Sequence, residues 1–255
     1  MTAEKLILVT NDDGVRAEGI RSLASSLRHL GSVVVVAPEH EQSASSHSIT
    51  LDNPLRIKEY ARDRFSVTGT PTDCVLLAIH RILGRKPDIL VSGINHGPNM
   101  GEDVIYSGTV AAAIEGYILG IPSIAISVAS WDPVPFDAAA EAVRVLPERM
   151  LELSGLRVNL WNVNIPPSVG EGIKGTVITK LGSRIYNDVI VEKKDPRGKD
   201  YFWIGGGEPG WSSESETDFA AVSAGYISVT PLRPDMTDYE GITLLKEWIS
   251  EWKPR

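Results

Sequence analysis

The stretch Leu6-Ile7-Leu8-Val9-Thr10-Asn11-Asp12-Asp13-Gly14 decides how this chain is read. Four consecutive apolar residues fit a strand covered on both faces, as in a parallel sheet, because a strand with one wet face would alternate. The strand then runs into two adjacent carboxylates and a glycine. Side by side at a strand end, carboxylates repel one another and are costly to bury unless positive charge or a shared proton compensates them. A divalent cation is the compensator this pattern points to. Asp-Asp-Gly is also ordinary turn composition, so its position at the end of the first strand carries more weight than the triplet itself.

Outward from this stretch the same rhythm recurs. Residues 19–30 read as a helix, and Val33 to Ala37 form a second fully apolar strand. Helices follow over Thr72–Leu83, Val110–Leu119 and Phe136–Leu153, with strands at Ile89–Val91, Ile124–Val128 and Val158–Val163. Short apolar strands alternating with longer helical segments are the signature of βαβ units. The fold class expected is therefore α/β: a Rossmann-like, doubly wound, mostly parallel sheet. From about Gly170 the texture changes to short β-type pieces, Gly175–Ile178 and Val189–Val191, then a late strand at 227–232 and a closing helix over Tyr239–Trp252. We divide the chain into a core of residues 1–180 and a β-rich extension of residues 181–255.

With 255 residues, 42% of them hydrophobic and 23% charged, the chain can bury a sizeable core and is not compositionally disordered. A net charge of −8 argues against polymeric nucleic acid or an anionic membrane as main partner, since both would be repelled at long range. A small phosphorylated substrate remains compatible, because a metal ion or a helix N-terminus can reverse the field locally. Cys74 is the sole cysteine, which rules out an internal disulfide and favours a reducing compartment, read here as the cytoplasm. No segment has the length and apolarity of a signal peptide or membrane span.

Ligands of doubly wound sheets bind beyond the carboxyl ends of the strands, where strand order reverses. Three loops should open there: Thr10–Gly14, Pro38–Ser48 and Ser92–Gly101. All are rich in oxygen donors, and carboxylate, hydroxyl and amide oxygens together make a hard site suited to magnesium, manganese or calcium. The segment Tyr106-Ser107-Gly108-Thr109 precedes the helix former Val110-Ala111-Ala112-Ala113-Ile114 and offers backbone N–H groups at a positive helix end, a ready phosphate site. Metal on one side and helix dipole on the other suit phosphate ester hydrolysis. Neither Gly-x-Gly-x-x-Gly after the first strand, nor a P-loop, nor a Gly-x-Ser-x-Gly elbow is present, which disfavours dinucleotide, ATPase and α/β-hydrolase chemistry. His47 could serve proton transfer or contact phosphate, but a histidine in a serine-rich loop is ordinarily solvated; His40 and His96 carry less weight still. Gly205–Gly207 reads as a loop, Trp203 and Trp211 as packing or interface residues, and Cys74 as core.

Several ordered pieces together resemble the stationary-phase survival protein SurE family. They are Thr10-Asn11-Asp12-Asp13-Gly14-Val15, Ala37-Pro38 with Gln42-Ser43, Gly69-Thr70-Pro71-Thr72-Asp73-Cys74, Ser92-Gly93-Ile94-Asn95 with Gly97–Gly101, Tyr106–Ala113 and Gly225–Leu232. The resemblance implies a metal-dependent phosphatase that releases inorganic phosphate from nucleoside monophosphates. It implies metal ligands at Asp12, Asp13, Ser43 and Asn95, and phosphate contacts at Asn99, Ser107, Gly108 and Thr109. It further implies self-association through the C-terminal part, as dimers or tetramers. One departure stands out: many members carry glycine after the ligand serine, where this chain has Ala44.

The mechanism expected places one magnesium or manganese ion on Asp12, Asp13, Ser43 and Asn95, with the phosphate between it and the amides of residues 107–109, and attack by a metal-positioned water. A covalent aspartyl phosphate on Asp12 or Asp13 is the rival within enzymes, although such phosphatases usually separate their two aspartates by one residue. The rival from another class is a nucleotide- or phosphate-binding regulatory module without turnover.

Overall fold

The quoted run is strand β1 (Lys5–Thr10), followed in a computed structural model by α1 (Glu18–Ser26), β2 (Gly31–Pro38), β3 (Ile57–Ala61), β4 (Arg64–Val67) and α2 (Pro71–Leu77). Then come β5 (Ile89–His96), α3 (Gly108–Ile118), β6 (Ser123–Val128), α4 (Phe136–Val143), α5 (Val145–Glu152) and β7 (Leu160–Ile165). The later chain supplies β8 (Thr176–Ile178), β9 (Arg184–Ile185), β10 (Ile190–Lys194), β11 (Asp200–Ile204), β12 (Gly210–Trp211), α6 (Asp218–Ser223), β13 (Ile227–Pro231) and α7 (Tyr239–Ser250). The structure describes residues 4–153, 159–169, 172–185, 190–204 and 210–250.

Nine strands form the main sheet in the order β3-β4-β2-β1-β5-β6-β7-β13-β8. From β4 to β7 neighbours run parallel, Val9 lying beside Val35 on one side and Val91 on the other. β3 and β13 are antiparallel to their partners β4 and β7. The chain leaves β1 for β2 on one flank and later returns to place β5 on the other. That reversal opens a crevice at the carboxyl end of β1, the switch point of a doubly wound sheet.

Both faces are covered, as the unbroken apolar strands require. Ile7, Val9, Ile89 and Val91 pack with Leu23, Leu27, Ala140 and Val143 on one face, while Leu6, Leu8, Val36 and Leu90 pack with Cys74, Val75 and Ala112 on the other. Cys74 is buried and free, as read from its helix pattern. α2 begins on a capping box in which Thr70 Oγ1 accepts from Asp73 N–H (3.1 Å) and the Asp73 carboxylate accepts from Thr70 N–H (2.9 Å), with Pro71 opening the helix.

The structure departs from the expected elements in places with a physical cause. The helix expected over 136–153 is two helices meeting at Arg144, and Pro147 near the junction has no N–H to give the turn before it. The β3–β4 hairpin was not expected, because charged residues, Lys58, Glu59, Arg62, Asp63 and Arg64, break up Ile57–Val67 and β3 is exposed throughout. α6 is too short to show a helical period. Gly170, Val158, Val189, Gly205–Gly207 and Trp252, which bound or fill expected segments, lie outside the described residues. The late strand joins the main sheet: β13 inserts between β7 and β8, so the 181–255 portion completes the sheet of the 1–180 portion. Trp211 packs face to face on Phe219 (ring centroids 3.5 Å apart), whereas Trp203 is exposed.

Candidate active site

Asp12 and Asp13 stand immediately past β1, where Gly14 turns the chain with φ +96°, a conformation that favours glycine. Asp12 is only 4% exposed. One of its carboxylate oxygens accepts a short hydrogen bond from the Thr109 hydroxyl, and the Thr109 N–H also turns to it. Asp13 accepts from the backbone N–H of His96 at the end of β5. The backbone carbonyl of Asp12 accepts from Gln42 N–H (2.8 Å) in the loop after β2. The doublet thus joins the first strand to the other two loops and to the start of α3.

Electrostatics mark the pair as under-compensated. Burial pushes the Asp12 carboxyl above its ordinary value against the opposing Thr109 hydrogen bonds. Burial, and then the neighbouring Asp12 charge, push Asp13 up to about 7. Glu41 adds further negative charge to both. One buried and one half-buried carboxylate beside a third are best held as anions by a cation among them.

The remaining donors fit that cation. Asn95 Nδ2 donates to the Gly97 carbonyl (2.8 Å), which orients the side chain and leaves Oδ1 as its free acceptor. Ser43 is exposed and donates to Glu41 Oε1 (2.7 Å), so its oxygen lone pairs remain available. Asn11 Oδ1, just before the doublet, and Ser45 Oγ are buried without a hydrogen-bond partner. Among the described residues no group of three His, Cys, Asp or Glu side chains is placed to hold a metal. The charged part of a cation site is therefore the doublet alone, and hydroxyl and amide oxygens must complete it, the donor set magnesium or manganese prefer.

On the phosphate side, Ser107 caps α3, its Oγ accepting from Val110 N–H (3.1 Å). Of the first N–H groups of the helix, which have no intrahelical acceptor, that of Val110 is taken by the cap and that of Thr109 turns to Asp12. Gly108 is there because the space is taken: a Cβ on it would lie 2.8 Å from Ser45 Oγ and 2.9 Å from Asp12 Cβ. Asn99 is placed differently from Ser107 and Thr109. Its side-chain amide donates to Ser127 Oγ (2.8 Å), its backbone N–H donates to Asn164 Oδ1 (2.9 Å), and its carbonyl accepts from Asn162 and Asn164.

Three supports escaped sequence reading. Asn162 and Asn164, buried in β7, look like polar interruptions of a strand until their bonds to Asn99 are seen. Asp218, at the start of α6, accepts N–H groups from Gly101 and Gly182 (both 2.8 Å), pinning the Asn99–Gly101 loop from the C-terminal part. Glu115 on α3 pairs with His47 Nε2 at 2.8 Å, anchoring the far end of the Ser43 loop. His47 is thus tied to a helix rather than simply solvated. Neither His40 nor His96 makes a side-chain hydrogen bond to the doublet: His96 Nε2 faces the Asp132 carbonyl at 2.9 Å, and its ring acts on Asp13 only through charge, opposing the rise of that carboxyl.

Fold and crevice together define a doubly wound α/β protein with an acidic oxygen-donor site facing a helix N-terminus at its switch point. The chain belongs to the SurE family: the family model "Survival protein SurE" matches residues 7–188. It is 50% identical over 247 residues to a 5'-nucleotidase SurE of Geobacter metallireducens, with 95% of this chain and 96% of that one covered. It is 45% identical over 248 residues to a Vibrio cholerae protein of the same name, with 96% of this chain and 98% of that one covered. The crystal structure of the SurE protein from Aquifex aeolicus superposes with a TM-score of 0.86 at 43% identity, covering 96% of this chain and 99% of that one.

Proposed function

We propose that this protein is a metal-dependent 5'-nucleotidase, a phosphoric monoester hydrolase converting nucleoside 5'-monophosphates to nucleoside and inorganic phosphate. The observation that carries this reading is the Asp12–Asp13 pair at the end of β1, its buried member Asp12 held against the N-terminus of α3 by Thr109. Its relatives' names support it, two of them being 5'-nucleotidases over nearly the whole chain.

Asp12, Asp13, Ser43 and Asn95 would hold one divalent cation, magnesium or manganese. That cation supplies positive charge against the transferring phosphoryl group and lowers the pKa of a coordinated water. The rest of the work falls to the chain. The Thr109 hydroxyl and N–H fix Asp12, so Thr109 can reach a phosphoryl oxygen only by sharing those donors, and the Ser107 hydroxyl and Gly108 amide are the uncommitted donors beside it. Asn99, locked by Asn162, Asn164 and Ser127, keeps one amide hydrogen for the same purpose. Water attacks phosphorus directly as the bond to the ester oxygen breaks, the proton lost by the water ending on that oxygen to release the nucleoside, with no covalent intermediate.

Residues 1–180 carry the site in this reading, and residues 181–255 serve self-association as dimers or tetramers. β11 and α7 leave Phe202, Trp203, Leu244 and Trp248 uncovered on one chain, which supports such a role. No helix among the described residues is long and apolar enough to cross a membrane. The single, free and buried cysteine supports a cytoplasmic setting.

The test is phosphate release from nucleoside monophosphates by metal-stripped protein, with magnesium or manganese added back. Release is expected only with metal. In Asp13→Asn, kcat/KM should fall about 100-fold or more, several kcal/mol of lost transition-state stabilisation. Nucleotide binding without release under any divalent metal would make the protein a binding module instead.

A further inference from the structure

We propose that the apolar cavity adjoining Ser107 receives the base of the substrate's nucleoside, an assignment that rests on the phosphatase reading above. The cavity measures about 500 Å³, the size of small-molecule sites, which are concave, mostly apolar and furnished with few polar groups. Ser107, the cap of α3, forms part of its wall, as do Ser46 and His47 from the loop that carries Ser43. A phosphoryl group on the first amides of α3 therefore has this cavity as its neighbour, within reach of the organic half of the ester.

The wall is built of hydrocarbon from separate elements. Ile114 and Ile118 come from α3, Ile105 from the turn before it, Leu160 from β7 and Met236 from the segment before α7. Ile105 and Ile118 are more than half exposed, and large aliphatic side chains lining a concavity gain most when a flat apolar ring displaces the water over them. Glu115, the carboxylate on the same helix, is engaged by His47, so it does not set a charge against the ring. Arg233, also in the wall, supplies the cation suited to ring carbonyl or ribose oxygens.

Ile118→Trp and Ile105→Trp fill the cavity from exposed positions, and thermal melting checks that each variant folds. The readout is the ratio of kcat/KM for adenosine monophosphate to that for glycerol phosphate, which has no ring. The ratio is expected to fall about tenfold, and adenosine should inhibit the wild type competitively and either variant far less. A ratio within twofold of wild type in both folded variants would overturn the assignment, including the case in which a second copy of the chain covers the cavity. If wild-type protein cleaves neither ester with any divalent metal, the phosphatase reading falls first. Adenosine titration then decides the cavity separately: binding lost in the variants upholds it, and no binding to wild type overturns it.

Discussion

Ala44 follows the proposed ligand Ser43 with φ +56°, in the left-handed region that costs a residue with a Cβ about 1–2 kcal/mol. Ala44→Gly should relieve that cost while loosening the unfolded chain by about 0.5–1 kcal/mol, leaving a net stabilisation of up to about 1 kcal/mol in urea unfolding. Gly108 presents the opposite case. Gly108→Ala drives a methyl into Asp12 Cβ, which cannot move away as a side-chain tip could, and kcat/KM should drop at least tenfold. Asp13 supplies a pH signature. With its folded value raised to about 7 from an ordinary 3.8, the metal-free native state holds a proton that the unfolded chain has lost. Stability of the stripped protein should therefore fall as pH climbs from about 4 to 8. Saturating metal, which favours the carboxylate, should flatten or reverse the trend, and Asp13→Asn should weaken it; urea midpoints at pH 5 and pH 8 read all three. Asp12, Asp13, Ser107 and Thr109 were legible in the sequence because strand ends and helix starts are local signals. Asn162, Asn164 and Asp218 were not, since their purpose exists only where distant segments meet.

The same division runs through the elements. β1, β2 and β5 announced themselves because burial on both faces writes an unbroken apolar run, and β6 did so with a single buried serine, Ser127, inside its run. In the β3–β4 hairpin, β3 is exposed and charged and only the end of β4 is buried, so the pair leaves no such mark. α6 matters more than its length suggests. Asp218 at its first residue accepts from Gly101, Gly182 and its own neighbour Phe219 (2.9 Å), and desolvation pushes its carboxyl upward despite those bonds. Asp218→Ala should cost about 2–4 kcal/mol by orphaning buried N–H groups, seen as a lower midpoint of urea unfolding. Activity should suffer as well, because the Asn99–Gly101 loop loses its anchor, and Asp218→Asn should recover part of both. The loop after β2 is held at its two ends, by Asp12 at Gln42 and by Glu115 at His47. Cutting the second tie with His47→Ala should raise KM for metal and substrate more than it lowers kcat.

At the scale of the whole molecule, the single chain leaves apolar surface that a monomer would not favour. On α7, Leu244 is 68% and Trp248 62% exposed, and Ile204 at the end of β11 is 85% exposed. Sedimentation at micromolar concentration should show a dimer or larger assembly, and Trp248→Asp should shift it toward monomer while the fold, judged by circular dichroism, persists. The nine-stranded sheet also sets a timetable for synthesis. β13 lies between β7 and β8, yet it is translated long after β7. At about 5–20 residues per second, the edge of β7 remains open on the ribosome for roughly 3–13 s after Ile165 is made. Its free N–H and C=O groups can meanwhile pair with any foreign strand. A nascent chain released before Ile227 would thus be an adhesive ribbon, its catalytic floor unfinished, rather than a smaller enzyme.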